Sequence, residues 1–227
     1  MQSNLKLKSD MEVDMLHKKL VVFTAFLILI ALPAGVLADE TAKIPDYFEA
    51  SFNLENRGSY TEALNSVLMI LRIDHRNYTA MLRAGWLSYL KGDYKNAIGY
   101  YRKAVLLEPE AIEPKLGLTL PLMASKDWRE ADTVVQKILK SDKGNYLANS
   151  RLAYILFSQG RYGEAEKQYR KVISEYPADI EMKLGLGWTY LRMGHKKKAA
   201  GVFREVLVVR KNNASAQKGM ELIENGQ

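Results

Sequence analysis

Alanine stands at positions 63, 97, 131, 165 and 199, five times at an unbroken spacing of 34 residues. A fixed period of roughly 20 to 50 residues marks a chain built from stacked supersecondary units, and a unit of this length holds two helices and a turn. One such unit cannot bury its apolar face alone, so neighbours must stack into a continuous core. Solenoids of this kind present extended surfaces and rarely carry chemistry, so the comb argues for a binding scaffold first.

In that register the chain has five blocks, 44–77, 78–111, 112–145, 146–179 and 180–213. Twelve residues before each alanine stands a small or short polar residue: Ser51, Gly85, Thr119, Ala153 and Gly187. A tight helix crossing excludes anything larger there. Seven residues further on come Gly58, Gly92, Gly160 and Gly194, with Lys126 in the third block. Glycine at this place predicts a positive φ that ends the first helix. Tyr60, Tyr94, Trp128 and Tyr162 follow two residues later, and Lys196 breaks that rule in the fifth block. Val67, Tyr101, Val135, Tyr169 and Phe203 fall four residues after the alanines, while Pro109 and Pro177 close two blocks where a helix must stop.

These residues resemble the tetratricopeptide repeat family. Block 78–111 matches its motif best, through Gly85, Gly92, Tyr94, Ala97, Tyr101, Ala104 and Pro109, and the resemblance covers 170 of 227 residues. It implies an all-α protein, an α-α superhelix of five helix-turn-helix repeats. His75, Lys143 and Lys211 replace the closing proline, and the tryptophan usual at the fourth position of the motif is missing, departures that bear on helix ends. Residues 214–224 continue the phase with Met220, Leu222 and Ile223, so segment 214–227 reads as a capping helix and tail. Such a cap covers the apolar edge of the last repeat.

The N-terminal region is of another kind. His17, Lys18 and Lys19 precede an apolar run over 20–32, then Pro33, Gly35 and the triplet Val36-Leu37-Ala38. A basic start, an apolar stretch and a small residue before the cut describe a secretory signal peptide, 1–38, cleaved after Ala38. The alternative is an uncleaved anchor, because 20–38 is 19 residues without a charge, near the ~20 that span a bilayer. Residues 39–43 are a short linker in either case. Both readings export the repeats, to the periplasm or to the envelope membrane of a bacterium.

Composition removes most chemistry. There is no cysteine, hence no thiol nucleophile, and the three histidines His17, His75 and His195 have no metal-ligand spacing. No phosphate loop occurs, and Gly185-Leu186-Gly187 lies inside a helical pattern. The motif Ile-Glu-x-Lys-Leu-Gly-Leu at 112 and again at 180 marks a duplicated two-repeat unit rather than a site. No catalytic residue, metal or cofactor is expected. Residues 180–227 hold 9 basic and 4 acidic side chains, a net of +5, densest at Lys196-Lys197-Lys198. That charge reads as a solvated turn before it reads as membrane proximity, and no nucleic-acid motif accompanies it.

The resemblance implies that first helices line the concave face. The positions it assigns there are unusually apolar: Phe48, Leu82, Leu116 and Leu184; Phe52, Trp86, Leu120, Tyr154 and Trp188; and Tyr89, Met123, Phe157 and Leu191. The core has its own set, Ala50, Leu118, Leu152 and Leu186 on first helices with Val67, Tyr101, Ile138 and Phe203 on second helices. A second apolar stripe on one helix has to face something else, and contiguous apolar surface marks an interaction site. The expected partner is a protein that lays an apolar helix or segment along the groove. A homo-oligomer in which a second copy fills it, or a carrier of an apolar small molecule, are the alternatives.

Overall fold

The computed structural model describes residues 40–226. The described residues fall into two units, 40–46 and 47–226. Within the first, residues 40–42 are helical and Lys43 pairs with Glu40 at 2.9 Å, in the segment expected to be a linker. The expected signal or anchor, 1–38, lies outside the described residues.

Helices follow in the expected pairs: α1 Ile44–Asn56 with α2 Tyr60–Ile73, α3 Tyr78–Leu90 with α4 Tyr94–Leu107, α5 Glu113–Ala124 with α6 Trp128–Ser141, α7 Tyr146–Ser158 with α8 Tyr162–Glu175, and α9 Ile180–Arg192 with α10 Lys196–Val209. The single cap α11, Ala214–Glu224, ends the series. No strand occurs among the described residues. The turn inside each repeat closes as its glycine predicts: Gly58, Gly92, Gly160 and Gly194 have φ between +74° and +78°. Lys126 takes the same conformation at φ +62°. Its N–H donates to Met123 O at 3.0 Å and Asp127 N–H to Leu122 O at 2.8 Å, the bonds that Gly92 and Asp93 make to Tyr89 O and Ser88 O. The geometry of the turn overrides a left-handed cost of ~1–2 kcal/mol for a residue with a Cβ. Between repeats, the Asn77, Asn145, Asp179 and Asn213 side chains accept from the third backbone N–H beyond them and cap α3, α7, α9 and α11.

Alanines 63, 97, 131, 165 and 199 are fully buried. The expected core residues are buried too, except Ala50, which stays half-buried on the helix that begins the array. Around each small residue twelve places before the alanine, the gap is filled in one of two ways. In the second repeat the Tyr101 ring lies over Gly85 and against Gly117 of the next repeat, where an added Cβ would stand 3.0 and 2.2 Å from ring carbons. Phe203 sits in the same way between Gly187 and Gly219, and Tyr169 against Gly185. In the first and third repeats the aromatic is replaced by Val67 or Val135, and an arginine of the next repeat reaches back instead. Arg83 Nε donates to Ser51 Oγ at 2.8 Å, and an Arg151 NH group donates to Thr119 Oγ1 at 2.6 Å. Ring on glycine and guanidinium on hydroxyl are two solutions to one packing problem, and they alternate along the first four repeats.

From α2 onward, consecutive helices pack on one another, and the first helices also touch across repeats: α3 with α5, α5 with α7, α7 with α9 and α9 with α11. Successive neighbours approach most closely on the inside of a curved stack, so the first helices form the inner layer.

Candidate functional site

The inner face carries the apolar positions read from the sequence, with unequal exposure. Phe52 and Tyr154 are 52% and 46% exposed. Phe48, Leu82, Trp86, Tyr89, Leu116, Leu120, Met123, Phe157, Trp188 and Leu191 are half-buried. Leu184 is buried at 6% and still lines the second of the two cavities described below. The rings pair in two groups: Trp86 meets Tyr89 at 5.8 Å and Tyr89 meets the turn residue Tyr94 at 5.9 Å. Further along, Trp128 meets Tyr154 edge-on at 5.8 Å and Phe157 meets Tyr162 at 5.6 Å. The indole N–H groups of Trp86 and Trp188 already have partners. Trp86 donates to Glu55 Oε1 at 2.6 Å, and Trp188 donates to Ser215 Oγ of the cap at 2.8 Å.

These residues gather around two cavities. The first, about 350 Å³, is lined by Phe52, Thr79, Leu82, Arg83, Trp86, Tyr101, Glu113, Gly117 and Leu120. The second, about 430 Å³, includes Leu147, Ser150, Arg151, Tyr154, Tyr169, Glu181, Gly185 and Trp188. Each of these eight stands 68 residues after its counterpart in the first cavity, from Thr79 to Leu120. Met123, Phe157 and Leu184 complete the apolar wall of the second cavity. The structure thus brings nine of the thirteen predicted positions to two equivalent depressions and leaves Phe48, Tyr89, Leu116 and Leu191 on the face between and beyond them.

Sequence reasoning missed the polar floor. Arg83 is 8% exposed, lies 2.9 Å from Glu55 Oε2 as an ion pair not aligned for a hydrogen bond, and stacks 3.5 Å from the centre of the Phe52 ring. Burial lowers its pKa and Glu55 pulls the other way. Arg151 donates to Leu116 O at 2.5 Å, and burial lowers its pKa against the opposing Tyr101 and Tyr89 phenols. Burial also pushes the Tyr101 and Tyr169 phenols up, so both stay neutral donors at physiological pH. The repeated Ile-Glu-x-Lys-Leu-Gly-Leu marks the two cavities as equivalent but contains neither arginine. It supplies Glu113 and Gly117 to one cavity and Glu181 and Gly185 to the other. The arrangement offers apolar volume, stacked rings and one guanidinium per cavity, which is recognition chemistry.

Models of the tetratricopeptide repeat match residues 78–110, 122–180 and 156–223. A Haemophilus influenzae protein assigned to cytochrome c-type biogenesis, CcmH, is 25% identical over 154 residues. That match takes in 65% of this chain and 34% of the relative, so the chain spans about a third of that protein's length. Among solved structures, MamA from Desulfovibrio magneticus superposes with a TM-score of 0.70 at 20% identity, covering 76% of this chain and 97% of that one. YrrB, reported as having an unusual peptide-binding site, gives 0.65 at 20% identity over 78% and 91%. A protein from Parabacteroides merdae gives 0.66 at 18% identity over 95% and 90%. At these identities the likeness speaks for the fold.

Proposed function

The chain belongs to the tetratricopeptide repeat family, and from that premise we propose that it is a non-catalytic scaffold of the cell envelope that holds an apolar helix or segment of a partner protein on its inner face. A protein-interaction role follows from the family and fold. The observation that carries the finer reading is the exposure of Phe52 and Tyr154 at two equivalent cavities walled by apolar side chains. An aromatic that keeps about half its surface in water on a folded protein is an anchor available to a partner, since such rings dominate interface energies. The basic and apolar N-terminal sequence supports export, and the name of the CcmH relative fits a part in assembling other proteins. Among the described residues no helix is long and apolar enough to cross a membrane.

Photo-crosslinking amino acids placed at Phe52 and Tyr154 in living cells test this reading, with Val208 on α10, 86% exposed, as the control position. Discrete heteromeric adducts from the first two sites and none from the third are expected. Adducts formed equally from Val208, or none from either inner site, would refute it.

A further inference from the structure

The two cavities are equivalent by position, and their differences are informative. Glu55, which neutralises Arg83 at the first, is replaced 68 residues later by Met123. Leu82 in the first wall is replaced by Ser150 in the second. The first substitution leaves the Arg151 guanidinium with backbone and hydroxyl acceptors and, among the described residues, no carboxylate partner. The second puts a buried hydroxyl on the cavity wall, whose Oγ makes no well-aligned hydrogen bond and interacts with the Tyr146 hydroxyl. The nearby Tyr146 hydroxyl gives its own proton to Asp179 Oδ2 at 2.6 Å. A half-buried cation with no carboxylate partner is costly to leave so.

We propose that the second cavity is a receptor for an aspartate or glutamate side chain of a partner segment, held by Arg151 and Ser150, while the flanking apolar residues of that segment fill the space between Met123 and Trp188. The proposal rests on the groove reading and gives it a specificity. The acidic residue is internal to the segment, because the apolar wall continues on both sides of Arg151. Glu181 also lines the cavity, as Glu113 lines the first, so it does not distinguish the two. It is exposed and therefore screened, whereas the half-buried Arg151 acts at lower effective dielectric. The net preference is for an anion. The first cavity, with its internal Glu55–Arg83 pair, accepts an apolar segment without one.

Short C-terminally amidated peptides with leucine and phenylalanine anchors, carrying one aspartate, asparagine or lysine scanned along their length, are titrated by fluorescence polarisation against the full chain. At the productive register the aspartate peptide binds about tenfold tighter than its asparagine isostere, as a charge-assisted pair requires. Met123→Glu rebuilds the internal pair of the first cavity and abolishes that preference while asparagine peptides still bind. Ser150→Ala, which removes one oxygen and leaves Arg151 in place, reduces the preference a few-fold and keeps the test open should Met123→Glu fail to fold. Equal binding of aspartate and asparagine peptides, a lysine preference through Glu181, or a preference indifferent to both substitutions overturns the proposal and leaves the groove reading standing. Failure of every peptide to bind overturns both.

Discussion

Gly117→Ala isolates the packing rule that joins the second repeat to the third. The added methyl would stand 2.2, 2.6 and 2.7 Å from three carbons of the Tyr101 ring, well inside the ~3.5–4.0 Å of favourable carbon contact. The ring has nowhere to retreat, because a Cβ placed at Gly85 on its other side would already stand at 3.0 Å, and Tyr101 is 4% exposed. Overpacking of this kind costs roughly 1–3 kcal/mol and exceeds the helix-propensity gain of ~1 kcal/mol that alanine brings over glycine. Gly99→Ala is the control: it lies inside α4 with nothing within 4 Å of the added atom, so it should stabilise by ~0.5–1 kcal/mol. For an array of this size the Gly117 loss corresponds to a fall of ~2–4 °C in melting midpoint per kcal/mol. Urea denaturation followed by circular dichroism reads both variants. Adding Tyr101→Val to Gly117→Ala should recover part of the loss, with a coupling of ~0.5–3 kcal/mol for residues in contact. A Gly117→Ala protein as stable as its Gly99 counterpart, or a double variant whose losses simply add, would refute the reasoning.

Lys126→Gly should raise stability by about 0.5–1 kcal/mol, because relief of the left-handed strain exceeds the added chain entropy, and a lower denaturation midpoint would contradict the shared turn geometry. Tyr154→Ala should leave the midpoint within about 1 kcal/mol while weakening partner capture, whereas Trp188→Ala should lower both, since its ring meets Phe203 at 5.4 Å and its N–H meets Ser215. Burial raises the Tyr169 phenol above its ordinary value of 10.0, so folding favours the protonated form. That stability is complete below pH ~10 and is lost as pH climbs through the raised folded value. Thermal melts between neutral and strongly alkaline pH should therefore fall less steeply for Tyr169→Phe than for the parent, and identical slopes would count against it.

The alanine comb and the turn glycines made the helical pairs and the cap legible, since each depends on residues close together in the chain. Lys126 shows how far local register carries, for it adopts the glycine conformation that its place in the repeat demands. The apolar inner row was legible through the family resemblance, which assigns those positions to the concave face. The arginine floor was not. An arginine on an amphipathic helix ordinarily points to water, and nothing in the local pattern around Arg151 announces that Val135 has left room for it or that Met123 has replaced its counter-ion.

The alternation of ring-on-glycine and guanidinium-on-hydroxyl gives this array a parity. Arrays of near-identical units risk pairing one step out of register, within a chain or between chains, because every junction resembles every other. Here a slip of 34 residues would bring Tyr101 against Arg151 instead of Gly117, two bulky groups contending for one gap. A slip of 68 would restore the match. The cue is confined to the first four repeats, because Tyr169 and Phe203 are successive rings set against Gly185 and Gly219, and a slip of one unit there meets no such clash.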